Sequence, residues 1–296
     1  MGRAVLFFGT AGIPHSAKKR SSIEGIVRIR ALGLTAMELQ FVRRVAMGEE
    51  SARRVCHAAK ENGVRLSAHA PYYINFNSKD AEIVKASRER LLEATRIAAL
   101  CGARSVVFHA ASYHHDPPPA VYQRVKAQLE SLADQVRDEG RDVCLRPETS
   151  GRPSQFGDLD EVLRLSAEVD GVSPCIDFGH VHARTGGALN TYAQFGAVLD
   201  RVRQFLGDSA LQDMHIHVQG MAYSQAGEQK HLDLAGSDLH YEALLQALVD
   251  WNVSGTAICE SPNLEKDAVL LKNTFCRLRN RQSALRNGSF LARNIC

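Results

Sequence analysis

Six consecutive apolar segments of this chain end in a histidine or a carboxylic acid, the residue types that bind metal ions and transfer protons. The side chains are His69, His109, Glu148, Asp177, one of the histidines in Met214–His217, and Glu260. Burying several unpaired ionisable groups together would cost several kcal/mol each, and bound cations would compensate their charge. Imidazole and carboxylate ligands without thiolate suit Zn²⁺, Mn²⁺ or Fe²⁺. Because the set exceeds one tetrahedral shell, the sequence predicts more than one metal ion.

The elements that carry these residues are eight strand-like runs that alternate with helical patterns. The predicted strands are Val5–Phe8, Ala36–Gln40, Arg65–His69, Ser105–His109, Val143–Arg146, Ser173–Asp177, Met214–His217 and Thr256–Glu260. The predicted helices are Ile23–Ala31, Ser51–Asn62, Ala81–Leu100, Val121–Gly140, Leu159–Val169, Tyr192–Phe205, Tyr241–Asp250 and Asp267–Leu278. Eight such units predict one α/β domain, a (β/α)8 TIM barrel over residues 1–280 with its chemistry at the C-terminal face. An open, doubly wound sheet is the alternative, and residues 281–296 are predicted to form a basic C-terminal tail.

The composition is that of an ordinary globular protein. Apolar residues make up 45% and charged residues 23% of the chain, which excludes a disordered protein. The net charge of +3 is small for a domain that coats nucleic acid by charge alone. We find no apolar run of roughly 18 residues for a membrane span and no N-terminal secretory run of about 7–15. The seven cysteines lack CxxC spacing and favour free thiols, so we expect a cytoplasmic protein.

Two segments place several potential ligands close together. Asp177 ends a strand and His180 follows across a glycine-containing turn, so both side chains could reach neighbouring metal ions from one loop. His215 and His217 alternate with apolar residues, and both should face the barrel interior. This alternation leaves open which of the two histidines is a ligand.

These residues resemble the endonuclease IV family of apurinic/apyrimidinic endonucleases, within the xylose-isomerase-like barrels. The resemblance extends over almost the whole chain, and its most specific stretches are His69-Ala70-Pro71-Tyr72-Tyr73-Ile74-Asn75, Phe108-His109, Glu148-Thr149-Ser150-Gly151 and Cys175-Ile176-Asp177-Phe178-Gly179-His180. It implies a TIM barrel with a three-zinc centre. The implied ligands are His69 and His109 for the first ion, Glu148 as a bridge from the first to the second, Asp177, a strand-seven histidine and Glu260 for the second, and His180 and His231 for the third.

One position of the implied third zinc site departs from the family pattern. The family usually has an aspartate two residues before the last histidine of the set, and here that position is Gln229. Glu228 could replace it through a loop shifted by one residue; otherwise the third site has two protein ligands. The loop that follows His217 is more similar to the sequence at the family's strand end. This similarity favours His217 over His215 as the ligand from strand seven.

The activity that the resemblance implies is hydrolysis of the DNA phosphodiester 5′ to an abasic site, together with removal of groups that block 3′ ends. Two metal ions about 3.5–4 Å apart support such an in-line displacement at phosphorus. Glu148 would bridge the ions, and Glu260 is placed to orient or deprotonate the attacking water. Tyr72 matches a family position that contacts the duplex, and Arg43 and Lys230 are candidate phosphate contacts. The expected partner is double-stranded DNA containing abasic sites, and the resemblance implies a monomer.

Two other functions fit part of the sequence. A sugar isomerase or epimerase on the same barrel needs the ligand set of the second ion, but not the additional histidines of the other two. A non-catalytic protein that binds damaged DNA with an incomplete metal site is supported by Gln229 alone. The additional histidines favour the nuclease.

Overall fold

The computed structural model describes residues 5–287, and within them eight parallel strands alternate with helices to form a barrel, as predicted. The barrel strands are β1 (Leu6–Ala11), β2 (Ala36–Gln40), β3 (Arg65–His69), β4 (Ser105–Phe108), β5 (Cys144–Pro147), β6 (Cys175–Asp177), β7 (Met214–Val218) and β10 (Gly255–Cys259), and β8 (Gly220–Ser224) and β9 (Gly227–Leu232) form an antiparallel hairpin. The α-helices are α1 (Ser22–Ala31), α2 (Glu49–Asn62), α3 (Ala81–Leu100), α4 (Pro118–Asp138), α5 (Leu159–Glu168), α6 (Phe178–Arg184), α7 (Tyr192–Leu206), α8 (Tyr241–Asp250) and α9 (Glu265–Asn287).

The sheet closes on itself, which excludes the open doubly wound alternative. Its strands follow the order β5-β4-β3-β2-β1-β10-β7-β6. Parallel bridges between Leu145 and Val172 and between Glu148 and Cys175 join the two outer strands. The amide of Thr149 donates to the carbonyl of Cys175 at 3.1 Å across the same seam. Because all eight strands are parallel, their carboxyl ends meet on one face of the barrel.

Local sequence fixes several helix ends. Asp80 accepts the amide of Glu82 at 2.9 Å and caps α3. Asp158 and Glu161 form a capping box at the start of α5. Gly63 ends α2 with a φ of 61°, in the left-handed region that favours glycine. These ends are close to the predicted ones because capping depends on neighbouring residues only.

Three elements differ from the predicted pattern. The hairpin β8–β9 is absent from that pattern, because its largely polar sequence carries no clear strand alternation. The short helix α6 follows β6 directly, without a linker that would mark it. The last helix continues to Asn287 instead of ending at Leu278, since no glycine or proline interrupts residues 265–287. It therefore crosses the predicted boundary at residue 280, and the rest of the predicted tail, residues 288–296, lies outside the described residues.

The cysteines largely follow expectation. Free thiols are present at Cys56, Cys101, Cys144, Cys175 and Cys259. Cys276 is the exception, because it is disulfide-bonded. In the range 5–287, no helix has the length and apolar character needed to cross a membrane.

Candidate metal centre

Glu148, just beyond the end of β5, lies at the centre of the site and contacts histidines from four other parts of the barrel. Its Oε2 lies 3.2 Å from His69 Nε2 and 3.3 Å from His109 Nε2. Its Oε1 lies 3.0 Å from His217 Nδ1 and 3.4 Å from His180 Nδ1. Oε2 therefore faces His69 and His109, whereas Oε1 faces His217, which is the arrangement of a bridging ligand.

Three adjoining groups of side chains that could bind metal ions lie at the carboxyl ends of the strands. The first group is His69, His109 and Glu148, the second is Glu148, Asp177, His217 and Glu260, and the third is His180, Glu228 and His231. Within each group, the potential ligand atoms lie within 4.8 Å of one another. All predicted ligands except His215 are in these groups, and Glu228 is added to them.

The strand end at Asp177 positions two of these side chains. Asp177 caps α6, and its Oδ1 accepts the amide of His180 at 2.7 Å. Its Oδ2 accepts a hydrogen bond from Gln219 Nε2 at 2.7 Å and lies 3.2 Å from His180 Nδ1. Gly179 between them has no room for a side chain, because a Cβ would lie 2.9 Å from the carbonyl oxygen of Gln219. Helix capping thus brings both side chains of this loop into the site.

A β-bulge in the hairpin β8–β9 decides which acidic residue faces the third group. Tyr223 pairs with Glu228, whereas the preceding Ala222 pairs with Lys230, so Gln229 is an extra residue in β9. The bulge shifts the side-chain alternation by one position. As a result, Glu228 lies with the histidines of the third group and Gln229 is exposed.

Two glycines allow Glu228 to approach the site. A Cβ on Gly151 would lie 2.7 Å from the Cβ of Glu228, and a Cβ on Gly227 would lie 2.2 Å from the carbonyl oxygen of Gly151. The amide of Glu228 donates to that same carbonyl at 3.0 Å. Glu228 Oε2 then lies 3.6 Å from His180 Nε2. The one-residue shift that the sequence left open is therefore present in the structure.

This geometry predicts opposite results for two adjacent substitutions. Glu228→Gln removes the only carboxylate of the third group, so we expect the affinity for one metal equivalent to fall more than about tenfold. Gln229→Ala is the matched control and should leave all equivalents unchanged, because its side chain is exposed. Elemental analysis after dialysis against a weak chelator measures both. Loss of metal from the Gln229 variant would show that the bulge does not set the ligand.

The ring orientations fit metal ligation. The Nδ1 atoms of His69, His180 and His231 lie 2.8, 3.0 and 3.1 Å from backbone carbonyl oxygens. A proton donated to each carbonyl leaves the lone pair on Nε2, as in many metal-binding histidines. The ring of His109 has a buried nitrogen, Nδ1, without a hydrogen-bond partner among residues 5–287. A neutral imidazole at each position can therefore act as a ligand.

The spacing of the ligand atoms also fits a small cation. Tetrahedral zinc with bonds of about 2.0 Å places its ligand atoms about 3.3 Å apart. The contacts of Glu148 with His69, His109 and His217 lie between 3.0 and 3.3 Å. His217 Nδ1 lies 3.6 Å from Glu260 Oε1. The described residues thus contain clusters of histidine and carboxylate that could hold metal ions.

Burial and mutual contacts determine how these groups are protonated. Burial raises the pKa of the Asp177 and Glu260 carboxyls above their usual range. Burial lowers the pKa of His109 to about 4, so this ring is neutral near neutral pH. For His69, burial would lower the pKa, but the hydrogen bond to Glu148 raises it to about 9. Metal binding at these groups would therefore release protons.

His215 lies outside the three groups. Its Nε2 is 3.0 Å from Oε2 of Glu38, and Ser67 Oγ donates to the same oxygen at 2.9 Å. His215 also forms a separate cluster of potential ligands with Cys175 and His217. Sequence reasoning did not identify Glu38 as a functional residue. The signal that could have identified it is a carboxylate inside β2, a strand that is otherwise largely apolar.

The predicted substrate contacts lie around the mouth of the barrel. Tyr72 is 54% exposed, and its ring centroid lies 5.4 Å from that of His69 and 6.5 Å from that of His109. Arg43, in the loop after β2, and Lys230, on β9, are both exposed. The ring of Tyr72 therefore lies beside the first group. The loop after β2 and strand β9 each carry one of the exposed cationic side chains.

A cavity of about 880 Å³ opens beside the centre, between the loops that follow β1 and β2. Its polar lining includes Glu260, His231, Tyr72, Arg20, Arg44 and Arg54. Much of the remaining lining is apolar, including Met37 and Phe41. The second and third groups are therefore accessible from a space large enough for a substrate.

Fold and site together define a TIM barrel with a candidate multinuclear metal centre at its C-terminal face. Residues 26–278 match the family described as xylose isomerase-like TIM barrel. The chain belongs to this family. An uncharacterized protein of Methanocaldococcus jannaschii is 42% identical to it over 276 residues, which are 93% of this chain and 98% of that protein.

Solved structures of two functional classes share the fold. Endonuclease IV from Thermus thermophilus is 20% identical with a TM-score of 0.71, over 94% of this chain and 99% of that one. A D-tagatose 3-epimerase-like protein is 15% identical with a TM-score of 0.71, over 93% and 100%. The 3-keto-D-glucoside 4-epimerase of E. coli is 16% identical with a TM-score of 0.63, over 95% and 99%. At these identities, the similarity establishes the fold only.

Proposed function

We propose that this protein is a zinc-dependent endonuclease that cleaves DNA 5′ to abasic sites, leaves a 3′-hydroxyl, and removes blocking groups from 3′ ends. The observation that carries the proposal is the third group, His180, Glu228 and His231, which adjoins the other two. A sugar epimerase needs only the second group. Three adjoining cation sites instead suit a phosphodiester, whose attacking oxygen, phosphate and leaving oxygen all need charge stabilisation.

Glu260 is the candidate general base. Zinc ions bound in the three groups would stabilise the charge that develops on the phosphate and make a nearby water easier to deprotonate. Of the three carboxylates in the second group, Glu260 is the most exposed, at 11% of its side chain, and it lines the cavity. A water molecule can therefore reach it. Burial raises the pKa of Glu260, which suits a base that works near neutral pH.

Substrate contact is assigned to the mouth of the barrel. In this proposal, Tyr72 occupies the gap that a flipped abasic nucleotide leaves in the duplex. Arg43 and Lys230 are exposed cations that suit contacts to backbone phosphates, and such contacts position the duplex without reading its sequence. A metal centre needs only a few cationic side chains around it to bind DNA. The small net charge of +3 is therefore compatible with duplex DNA as the partner.

Removing the ring of Tyr72 tests this assignment. Base–aromatic stacking contributes about 1–3 kcal/mol, so Tyr72→Ala should weaken binding of an abasic duplex by about 5- to 150-fold. Tyr73→Ala is the matched control, because Tyr73 is 59% exposed and its ring does not contact the site histidines within the described range. Fluorescence anisotropy with a labelled duplex measures both. Equal effects of the two substitutions would contradict a specific role for Tyr72.

The activity itself is tested with the zinc-loaded protein and a 5′-labelled duplex that contains one abasic site. We expect incision at that site, and a DNA polymerase should extend the product, since it carries a 3′-hydroxyl. The undamaged duplex of the same sequence is the control. Absence of incision by protein that contains stoichiometric zinc would exclude the nuclease.

A sugar epimerase is the second candidate, and the cavity favours it. The space of about 880 Å³ beside Glu260 is large enough for a sugar, and much of its lining is apolar. In such an enzyme, Glu148 and Glu260 would exchange a proton with a carbon next to a carbonyl group. Incorporation of deuterium from D₂O into ketoses, without incision of abasic DNA, would favour this alternative.

A further inference from the structure

Glu38 lies directly beneath the second group, fully buried in the middle of β2. Its Oε2 accepts a hydrogen bond from Ser67 Oγ at 2.9 Å and lies 3.0 Å from His215 Nε2. Its Oε1 accepts from Gln40 Nε2 at 3.1 Å. Both oxygens lie 3.3 Å from His217 Nε2. A carboxylate with this many donors is held firmly in one orientation.

The two ring nitrogens of His217 face different carboxylates. Nδ1 lies 3.0 Å from Glu148 and 3.6 Å from Glu260, both members of the second group. Nε2 faces Glu38 instead. A neutral imidazole has one N–H and one lone pair, so whichever nitrogen donates leaves the other as the ligand atom. Because a carboxylate can only accept, a proton on Nε2 satisfies Glu38 and leaves the lone pair of Nδ1 facing the second group.

We propose that Glu38 is a positioning residue for the second group. It accepts the Nε2 proton of His217, fixes the ring, and directs Nδ1 at the cation site. Glu38 itself belongs to none of the clusters of potential metal ligands. The inference rests on the proposed function only in requiring that the second group binds a metal ion. Carboxylates that orient a metal-binding histidine in this way typically change metal affinity by about 10–100-fold when they are replaced.

The test measures metal affinity rather than activity. Metal-free Glu38→Gln is titrated with Zn²⁺ against a chromophoric chelator, and with Co²⁺, whose visible absorption reports ligand geometry. We expect one of the three equivalents to weaken by about 10–100-fold, with an altered Co²⁺ spectrum. Ser67→Ala is the matched control, because it removes another hydrogen bond to Glu38 without touching His217. It should retain all three affinities, and Glu38→Asp should recover part of the loss.

Two results would overturn the proposal. In the first, Glu38→Gln binds all metal equivalents as tightly as the wild type but unfolds more easily. That result would show that Glu38 has a structural role only. The other is an intense near-ultraviolet thiolate band with Co²⁺, which would assign the cluster of Cys175, His215 and His217 as a metal site in its own right.

A measurement on the wild type keeps the proposal testable if Glu38→Gln does not fold. Long-range ¹H–¹⁵N spectra of zinc-loaded protein with ¹⁵N-labelled histidine should show His217 protonated at Nε2 and metal-bound at Nδ1. The opposite tautomer would overturn the proposal. Failure to incise DNA, with these metal-binding results intact, would count against the nuclease alone. A wild-type protein that binds no metal would exclude both.

Discussion

Replacing Glu148 by glutamine is expected to remove two of the three proposed metal equivalents and to abolish the proposed incision. Glu148 belongs to the first and second groups and contacts four histidines through its two oxygens. An amide has one acceptor oxygen and no charge, so it cannot bridge two cations. Replacing a residue that only hydrogen-bonds a metal ligand typically lowers metal affinity or activity by about 10–100-fold. Loss of a bridging ligand should therefore lower the incision rate by more than about 100-fold.

The same substitution should also lower the stability of the metal-free protein. Breaking a buried ion pair typically costs about 3–5 kcal/mol, and Glu148 is the buried carboxylate that His69 and His217 both face. Urea unfolding and elemental analysis measure stability and metal content separately. Asp213→Asn is the control, because it breaks the ion pair with the buried Arg146, at 3.0 Å, at the opposite end of the barrel. If the Asp213 variant lost as much metal, general destabilisation would explain the result for Glu148.

Glu260→Gln is expected to reduce the incision rate by about 10²–10⁴-fold, because a general base typically contributes that factor to the rate. DNA binding should be retained. The amide is similar in size but cannot accept the proton of the attacking water. Glu260 also belongs to the second group, so the variant is assayed at saturating zinc and its metal content is measured. Single-turnover incision and fluorescence anisotropy with the abasic duplex give the two quantities.

A neighbouring glutamate provides the control for this variant. Glu265 accepts the amides of His15 at 2.9 Å and Ser16 at 2.8 Å and belongs to none of the metal groups. Glu265→Gln should therefore retain incision. Normal cleavage by a fully metal-loaded Glu260→Gln variant would contradict the assigned role of Glu260 as the base.

The fold could be predicted because its signals are local and repeat along the chain. The bounds of β2, β3, α3 and α8 agree with those expected from apolar alternation and helical spacing. Helix α6 and the hairpin β8–β9 could not be predicted in the same way. Their conformation depends on contacts with other parts of the chain, such as the hydrogen bond from the Glu228 amide to the Gly151 carbonyl.

The candidate site divides in a similar way. Side chains at strand ends, such as His69 and Asp177, are predictable because parallel strands in a barrel all end on one face. Alternation cannot separate His215 from His217, since both face inward. Their difference is one of depth: His217 reaches the level of Glu148, whereas His215 contacts Glu38 one layer below.

Residue types and their spacing are enough to predict the barrel, the face that carries the candidate site, and most of the histidines and carboxylates found there, because strand period and strand polarity fix these features. The acidic member of the third group, in contrast, follows from tertiary packing. A single extra residue in β9 turns Gln229 outward and Glu228 inward, and Gly151 and Gly227 leave the space for it. Such a bulge depends on how the hairpin packs against the loop after β5, which residue spacing along the chain does not encode.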